Sequence, residues 1–293
     1  MKTVLLLAGM IWGLASSAMA KDIKDVGESK YELSVGDLSM VVDAAHGGKV
    51  LSFKHKDKEV ISQSRWPESF GSTFWTSPQK EWNWPPVPEY DKNAYVVELD
   101  DAKLTLTSEV SEKMKFRIRK EFAVSHADNS FVVTYSIINE DDKERTVAPW
   151  EITRVPNDGL IFFDAKMEDI TPAGLMPFQP NFGIVWYSAD ATQENRKINA
   201  DGKGWLAHYA NGLLMVKQFQ DLDKSQPAPG ESEIQVYVNR GKSFIELESQ
   251  GAYQKLQPGE KLTWSVKWLL TPVEATLEPS EKLLQEVRKT LKK

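Results

Sequence analysis

Short runs in which apolar and polar residues alternate recur along the chain, and Gly, Pro, Asn and Asp bound them. Such alternation is typical of half-buried β-strands, because successive side chains of a strand point to opposite faces. Turn sequences such as Asn239-Arg240-Gly241 and Gln257-Pro258-Gly259 separate the later runs. The predicted strands include residues 38–42, 103–110, 114–122, 130–138, 213–219, 233–238, 244–248 and 262–270.

Helical periodicity is convincing only near the end of the chain. Pro279-Ser280-Glu281 is typical of a helix start, and the following turns place apolar residues on one face. These residues are Leu283, Leu284, Val287 and Leu291. No Gly/Ser-rich linker or shift in composition divides the chain. We therefore predict one all-β domain over residues 21–293, a sandwich of large antiparallel sheets with a short C-terminal helix.

Residues 65–91 interrupt the strand pattern. The segment holds four of the 10 Trp and five of the 15 Pro residues. Proline fixes φ and removes a ladder donor, so the segment is predicted to be a long ordered loop rather than a central strand or a helix. Long loops of compact domains usually carry function, and exposed indoles are costly unless they pack or bind.

Three indoles of this segment, Trp75, Trp82 and Trp84, are candidate sugar platforms. Flat aromatic faces suit the apolar C–H faces of pyranose rings, and Gln79 and Arg65 would add hydrogen bonds to hydroxyl groups. The alternative is that the indoles anchor the loop onto the sheet. We expect at least one of them to line a pocket, with Trp82 and Trp84 on one side if the backbone between them is extended.

Composition and charge exclude several kinds of functional site. The 293 residues carry a formal net charge of −6 and include no cysteine, which excludes disulfides, thiol nucleophiles and thiolate metal sites. Basic residues are scattered, so no nucleic-acid partner is expected. The chain has no HExxH, nucleophile elbow or glycine-rich phosphate loop, and we predict no metal or other cofactor.

The first twenty residues have the form of an export signal. Lys2 precedes an apolar run, and Ala18-Met19-Ala20 has the A-x-A form that signal peptidase reads. The alternative is an uncleaved anchor, but the run is shorter than the roughly 20 residues that span a bilayer. Cleavage after Ala20 would leave a periplasmic or secreted protein without membrane insertion.

Carboxylates and one histidine are the candidate acid and base groups. Glu246 and Glu248 share one face of a predicted strand, where their charges would raise one pKa. The alternative is that both glutamates lie on the solvent-exposed face of an edge strand. His208 lies in an aromatic, strand-like segment, and imidazole suits proton transfer near neutral pH. Its alternative is a hydrogen-bonded structural histidine.

Glu151 and Arg154 belong to a second predicted strand that begins near Trp150. Alternation puts Glu151 and Thr153 on one face and Trp150, Ile152 and Arg154 on the other. Glu151 is a candidate acid, and its alternative is a structural ion pair.

Three groups of motifs resemble the galactose-mutarotase-like superfamily. FIELESQG (244–251), LQPGE (256–260) and TWSVKWLL (263–270) are similar to its C-terminal part, in which a catalytic-glutamate strand precedes an L-x-P-G-E turn and a final strand. Residues 44–53, with GGKVLSF at 47–53, resemble the early strand pair of aldose 1-epimerases. Residues 71–86 resemble an exported branch of the superfamily. The resemblance implies a β-supersandwich with a carbohydrate site on its concave face.

One catalytic position of the aldose 1-epimerase pattern is not matched. Those enzymes carry an Asn-His pair whose histidine protonates the ring oxygen while a glutamate removes the anomeric proton. Here the comparable region has Asn139 followed by Glu140, without a histidine. The candidate bases are then Glu246 and Glu248, and the candidate replacements for the acid are His208, Arg154 and Glu151.

Three functions remain open from the sequence. The first is a sugar epimerase or mutarotase that uses a glutamate base. The second is a non-catalytic protein that binds a mono- or oligosaccharide. The third is an envelope protein whose Trp-rich segment docks another protein.

Overall fold

A computed structural model describes residues 22–65, 69–190 and 192–292, and only the backbone of Lys242. The predicted signal peptide, residues 1–20, lies outside the described residues. The described strands are β1 (Ile23–Gly27), β2 (Lys30–Val35), β3 (Leu38–Asp43), β4 (Lys49–His55), β5 (Lys58–Glu59), β6 (Ser72–Ser77), β7 (Val96–Leu99), β8 (Lys103–Val110), β9 (Phe116–Ser125), β10 (Ser130–Asn139), β11 (Arg145–Val155), β12 (Leu160–Phe163), β13 (Ile170–Thr171), β14 (Gln179–Asn181), β15 (Ile184–Ser188), β16 (Arg196–Ala200), β17 (Trp205–Ala210), β18 (Leu213–Gln218), β19 (Ile234–Val238), β20 (Ile245–Gln250), β21 (Gln254–Leu256) and β22 (Lys261–Pro272). The helices are α1 (Pro88–Asp91) and α2 (Glu281–Leu291), with short 3₁₀ turns at Gln79–Glu81, Met167–Asp169 and Arg240–Lys242.

In the described ranges, these strands form two antiparallel sheets. The first has 12 strands in the order β1-β2-β3-β4-β6-β11-β20-β19-β16-β13, with β5 beside β4 and β21 beside β11. The second has 10 strands in the order β14-β15-β12-β17-β18-β22-β10-β9-β8-β7. This architecture confirms the predicted all-β supersandwich.

The two sheets pack face to face over one hydrophobic core. Phe74 of β6 stacks on Tyr135 of β10 with ring centroids 4.3 Å apart, and Phe53 of β4 meets Trp268 of β22 edge-on at 5.7 Å. Alternation along β6 and β11 therefore sends every second side chain into this core and the others to the opposite face.

The C-terminal helix that the sequence predicted is present as α2, and it covers the far face of the second sheet. The Ser280 hydroxyl caps the helix by accepting a hydrogen bond from the Leu283 N–H. Leu283, Leu284 and Val287 are buried against a second apolar cluster. Neither α-helix of the described ranges has the length and apolarity that a bilayer span requires.

The prediction of a continuous loop over residues 65–91 was wrong. Strand β6 runs through the middle of the segment, is buried along its whole length, and pairs with β4 and β11 near the centre of the first sheet. The prolines permit this strand because none lies within Ser72–Ser77, and Pro78 follows its last residue.

Candidate functional site

A groove of about 490 Å³ lies on the face of the first sheet that points away from the second sheet. We call it the main groove. Adjacent strands contribute its central side chains: Trp75 from β6, Trp150 from β11, Glu246 from β20, Tyr237 from β19 and Lys197 from β16. Its volume falls in the range of pockets that bind small molecules.

Strand alternation decides which side chains reach the main groove. Phe74 and Glu151 point into the core between the sheets, so Trp75 and Trp150 point outward. On β20, Leu247 is buried in the core, whereas Glu246 lines the groove. Glu246 and Glu248 therefore share the outer face.

Glu246 is held at the groove by an ion pair. Its Oε1 lies 2.7 Å from Nη2 of Arg154, and the Glu246 side chain keeps 12% of its surface exposed. The Arg154 guanidinium is buried between the rings of Trp75 and Phe244, at 5.9 and 5.5 Å from their centroids. Arg154 is therefore a fixed positive charge that orients the Glu246 carboxylate.

Glu248 lies beneath the groove and is fully buried. Its Oε2 accepts hydrogen bonds from Trp150 Nε1 and Lys197 Nζ, both at 2.8 Å, while its Oε1 has no hydrogen-bond partner. Burial raises the pKa of Glu248 to about 7, although the positive charge of Lys197 opposes the rise; the neighbouring charge of Glu246 adds to it. Glu248 therefore gains or loses its proton near neutral pH.

The indoles of residues 75–84 separate into two roles. Trp75 meets the edges of Trp82, Trp150 and Trp84 at centroid distances of 5.6, 5.3 and 6.2 Å. Trp82 is buried and donates its Nε1–H to the Thr76 carbonyl, so it anchors the segment instead of lining the groove. Trp84 is 62% exposed at the groove rim.

The expected common side for Trp82 and Trp84 is absent because the backbone between them is not extended. Asn83 has φ +58°, in the left-handed region that Asn tolerates better than most residues. The chain turns there, which buries the first indole and exposes the second.

Two predicted acids do not reach the main groove. Glu151 is buried between the sheets, where it forms an ion pair with Lys217 and accepts a hydrogen bond from Ser72. His208 lies on β17 of the second sheet, is 2% exposed and bonds through Nε2 to the Asp158 carbonyl at 2.9 Å. Burial lowers the pKa of His208. The core location of both side chains keeps them from a ligand on the outer face, which corrects their assignment as candidate acids.

Of the two predicted hydrogen-bonding residues, Gln79 and Arg65, only Gln79 lines the main groove. Gln79 lines the main groove, and its backbone N–H donates to Glu231. Arg65 stacks on Phe70, with its guanidinium 4.7 Å from the ring centroid, and does not line the main groove.

Sequence reasoning missed Trp150, Lys197 and Tyr237 as groove residues. Tyr237 lies directly opposite Glu246 across the β19–β20 pair, and alternation in the predicted strand 233–238 carries that signal. Lys197 comes from β16, a strand whose charged start, Arg196-Lys197, hides its pattern.

The two antiparallel sheets give the chain a galactose mutarotase-like fold. The fold resembles a protein assigned as an aldose 1-epimerase from Escherichia coli K12, with a TM-score of 0.60 and 13% identity over 83% of this chain and 99% of that one. It also resembles a galactose mutarotase-like protein from Lactobacillus casei, with a TM-score of 0.58 and 12% identity over 82% and 99% of the two chains. At these identities the likeness concerns the fold alone.

More particularly, the chain belongs to the family of the domain of unknown function DUF4380, whose model matches residues 46–271. The match includes β6, β11, β16, β19 and β20, and so covers the strands that build the main groove. No curated protein matches the sequence.

Proposed function

We propose that the protein binds a saccharide in the main groove. The observation that carries this proposal is the exposed Trp84 indole at the rim, beside a groove whose other side is polar. Ligand pockets are commonly lined by aromatic side chains together with a few polar groups, and the flat face of an indole matches the C–H face of a pyranose ring.

The polar side of the groove supplies the hydrogen-bonding groups that hydroxyls require. Tyr237 and Asn239 offer both donors and acceptors, Lys197 offers donors and Glu246 offers acceptors. Two buried polar atoms beside the groove, Glu248 Oε1 and Arg154 Nε, have no hydrogen-bond partner. Buried polar groups usually have partners, and exceptions often mark functional sites.

A Trp-fluorescence titration with thermal-shift measurement tests the binding proposal on residues 21–293. We expect a mono- or oligosaccharide to raise the melting temperature and to change the emission, since a ligand at 100 times its Kd adds about 2.7 kcal/mol of stability. Trp84→Ala should weaken binding at least tenfold without loss of folding. Leu277→Ala, which removes another exposed apolar side chain outside the groove, is the matched control. Failure of every sugar to bind would contradict the proposal and favour the protein-docking alternative.

A second candidate, a sugar epimerase or mutarotase, is supported by the position of Glu246. The Arg154 ion pair holds its Oε1, which leaves Oε2 to accept the proton of an anomeric hydroxyl. An acid must protonate the ring oxygen so that the ring opens. Rotation about the C1–C2 bond of the open-chain sugar and ring closure then give the other anomer. Lys197 and Tyr237 line the same groove and are our candidate donors for that step, and Arg154 pairs with the proposed base.

Anomer exchange followed by NMR separates this enzyme from a non-catalytic binding protein. For the enzyme, we expect faster interconversion of a bound sugar's anomers, with a loss of at least a hundredfold in Glu246→Gln and retained binding. Exchange at the uncatalysed rate with tight binding would identify the non-catalytic protein.

We further propose that the protein acts in the periplasm or as a secreted protein, on the strength of the A-x-A site at Ala18–Ala20. N-terminal sequencing after expression of the full chain tests this. A mature start at Lys21 is expected, and an intact N-terminus would contradict it.

A further inference from the structure

Two smaller chambers continue the main groove along the sheet. The middle chamber, about 210 Å³, shares Ser69, Trp75 and Trp84 with the main groove. The end chamber, about 190 Å³, shares Asp91 and Lys92 with the middle chamber. Each chamber therefore adjoins the next through common walls.

The three chambers cross six neighbouring strands. Their lining side chains come from β16 (Lys197), β19 (Tyr237), β20 (Glu246), β11 (Arg154), β6 (Trp75) and β4 (Lys49). Neighbouring strands lie about 4.8 Å apart, so five spacings extend over about 24 Å. This length is several times the width of one pyranose ring.

A buried ion pair forms the polar floor of the end chamber. Lys49 and Asp91 are both buried and pair at 3.0 Å, and Asp91 Oδ1 also accepts hydrogen bonds from Thr73 and Trp75. The Phe70 ring forms an apolar wall, with Lys49 Nζ 4.8 Å from its centroid. The end chamber therefore combines polar groups with an aromatic surface, as the main groove does.

His46 gives the end chamber a polar group that faces solvent. Its side chain is 61% exposed, and its Nδ1 lies 2.8 Å from Asp43 Oδ2. With Nδ1 engaged, Nε2 is the ring nitrogen that remains for a ligand hydroxyl.

We propose that the three chambers bind one linear oligosaccharide, which runs across the strands from Lys197 to His46. This inference rests on the proposed saccharide binding and adds the length and direction of the ligand. Trp84 lines both the main groove and the middle chamber, so its exposed ring lies where one sugar unit follows the next. A monosaccharide would occupy the main groove and leave the other two chambers unused.

Chain-length dependence of affinity tests the proposal. A glycan array of hexose and hexosamine monosaccharides and their linear oligomers identifies a sugar series, and calorimetry then measures Kd along that series. We expect the affinity to rise at least tenfold from the monosaccharide to an oligomer that fills all three chambers. Equal affinity for monosaccharide and oligomers would overturn this proposal and leave saccharide binding intact, whereas no binding at any length would overturn both.

A matched pair of histidine variants locates the gain. His46→Ala should reduce the affinity ratio between oligomer and monosaccharide by several fold. His126→Ala removes a similar exposed imidazole, paired with Asp22 at 2.7 Å outside the chambers, and should leave the ratio unchanged. An unaltered ratio in His46→Ala would contradict the placement of the ligand in the end chamber.

Discussion

Glu248 combines full burial with one unpartnered carboxylate oxygen beneath the main groove. Its pKa is about 7 in the folded protein, against an ordinary value of 4.5, chiefly because burial penalises the charged carboxylate. The folded state then binds more protons than the unfolded chain between these two values. The stability that Glu248 contributes therefore falls as the pH rises from about 4.5 to about 7.

Replacing Glu248 by Gln should remove this pH dependence. We expect the free energy of unfolding of Glu248→Gln, relative to that of the wild type, to increase between pH 5 and pH 8, because only the wild type must ionise a buried carboxyl group over this range. Urea denaturation at both pH values measures the difference. Glu278→Gln, at an exposed position, is the control, and a difference that stays constant with pH would contradict the titration of Glu248.

At the scale of elements, one buried ion pair joins strands of different sheets. Lys217 of β18 pairs with Glu151 of β11, and the two side chains are 1% and 0% exposed. Burial lowers the pKa of Lys217 to about 8 even though the Glu151 charge opposes this change. Each partner therefore compensates a charge that the core would otherwise leave unpaired.

Removing one partner should destabilise the sandwich far more than removing both. Lys217→Met leaves Glu151 buried without its counter-charge and should cost about 3–5 kcal/mol of unfolding free energy. The double variant Lys217→Met/Glu151→Gln should recover much of that loss, because no charge then remains. Denaturation curves of the three proteins check the cycle, and a double variant no more stable than Lys217→Met would contradict it.

The cap of α2 gives a smaller effect at the same scale. Ser280→Ala removes the side-chain acceptor for the Leu283 N–H and should cost about 1 kcal/mol. Thermal denaturation measures the loss. Ser188→Ala, at an exposed strand end, controls for the loss of a hydroxyl, and equal effects in the two variants would contradict a capping role.

For the whole molecule, the shared core predicts cooperative unfolding. The main apolar cluster contains residues of both sheets, including Phe74 and Val236 from the first and Phe131 and Trp268 from the second. Neither sheet can keep its inner face buried alone. We expect one transition with coincident Trp-fluorescence and far-UV circular dichroism curves for residues 21–293, and separate transitions would contradict the predicted single domain.

The alternation of apolar and polar residues predicted much of the fold. Predicted strands such as 103–110 and 130–138 correspond closely to β8 and β10, because period-two alternation depends only on neighbouring residues. The common face of Glu246 and Glu248 followed from the same period. Strand β6 was missed because the prolines around it dominated the local signal, although they lie outside the strand.

The site was predictable only in part, because alternation assigns residues to faces without saying which face meets which neighbour. Trp75, Trp84 and Gln79 line the main groove, whereas Glu151 and His208 lie in the core. Glu151 was correctly separated from Trp150 and Arg154, yet only the second sheet, packed against its face, makes that position an inaccessible core site.

By itself the sequence determined the secondary structure type, the faces of most strands, the C-terminal helix and the aromatic, cysteine-free chemistry. These properties depend on local periodicity and composition. The tertiary structure decided the strand order that brings residues 46, 75, 150, 197, 237 and 246 to one surface, and the burial that moves the pKa of Glu248 to about 7. Both depend on contacts between residues far apart in sequence, which no local pattern encodes.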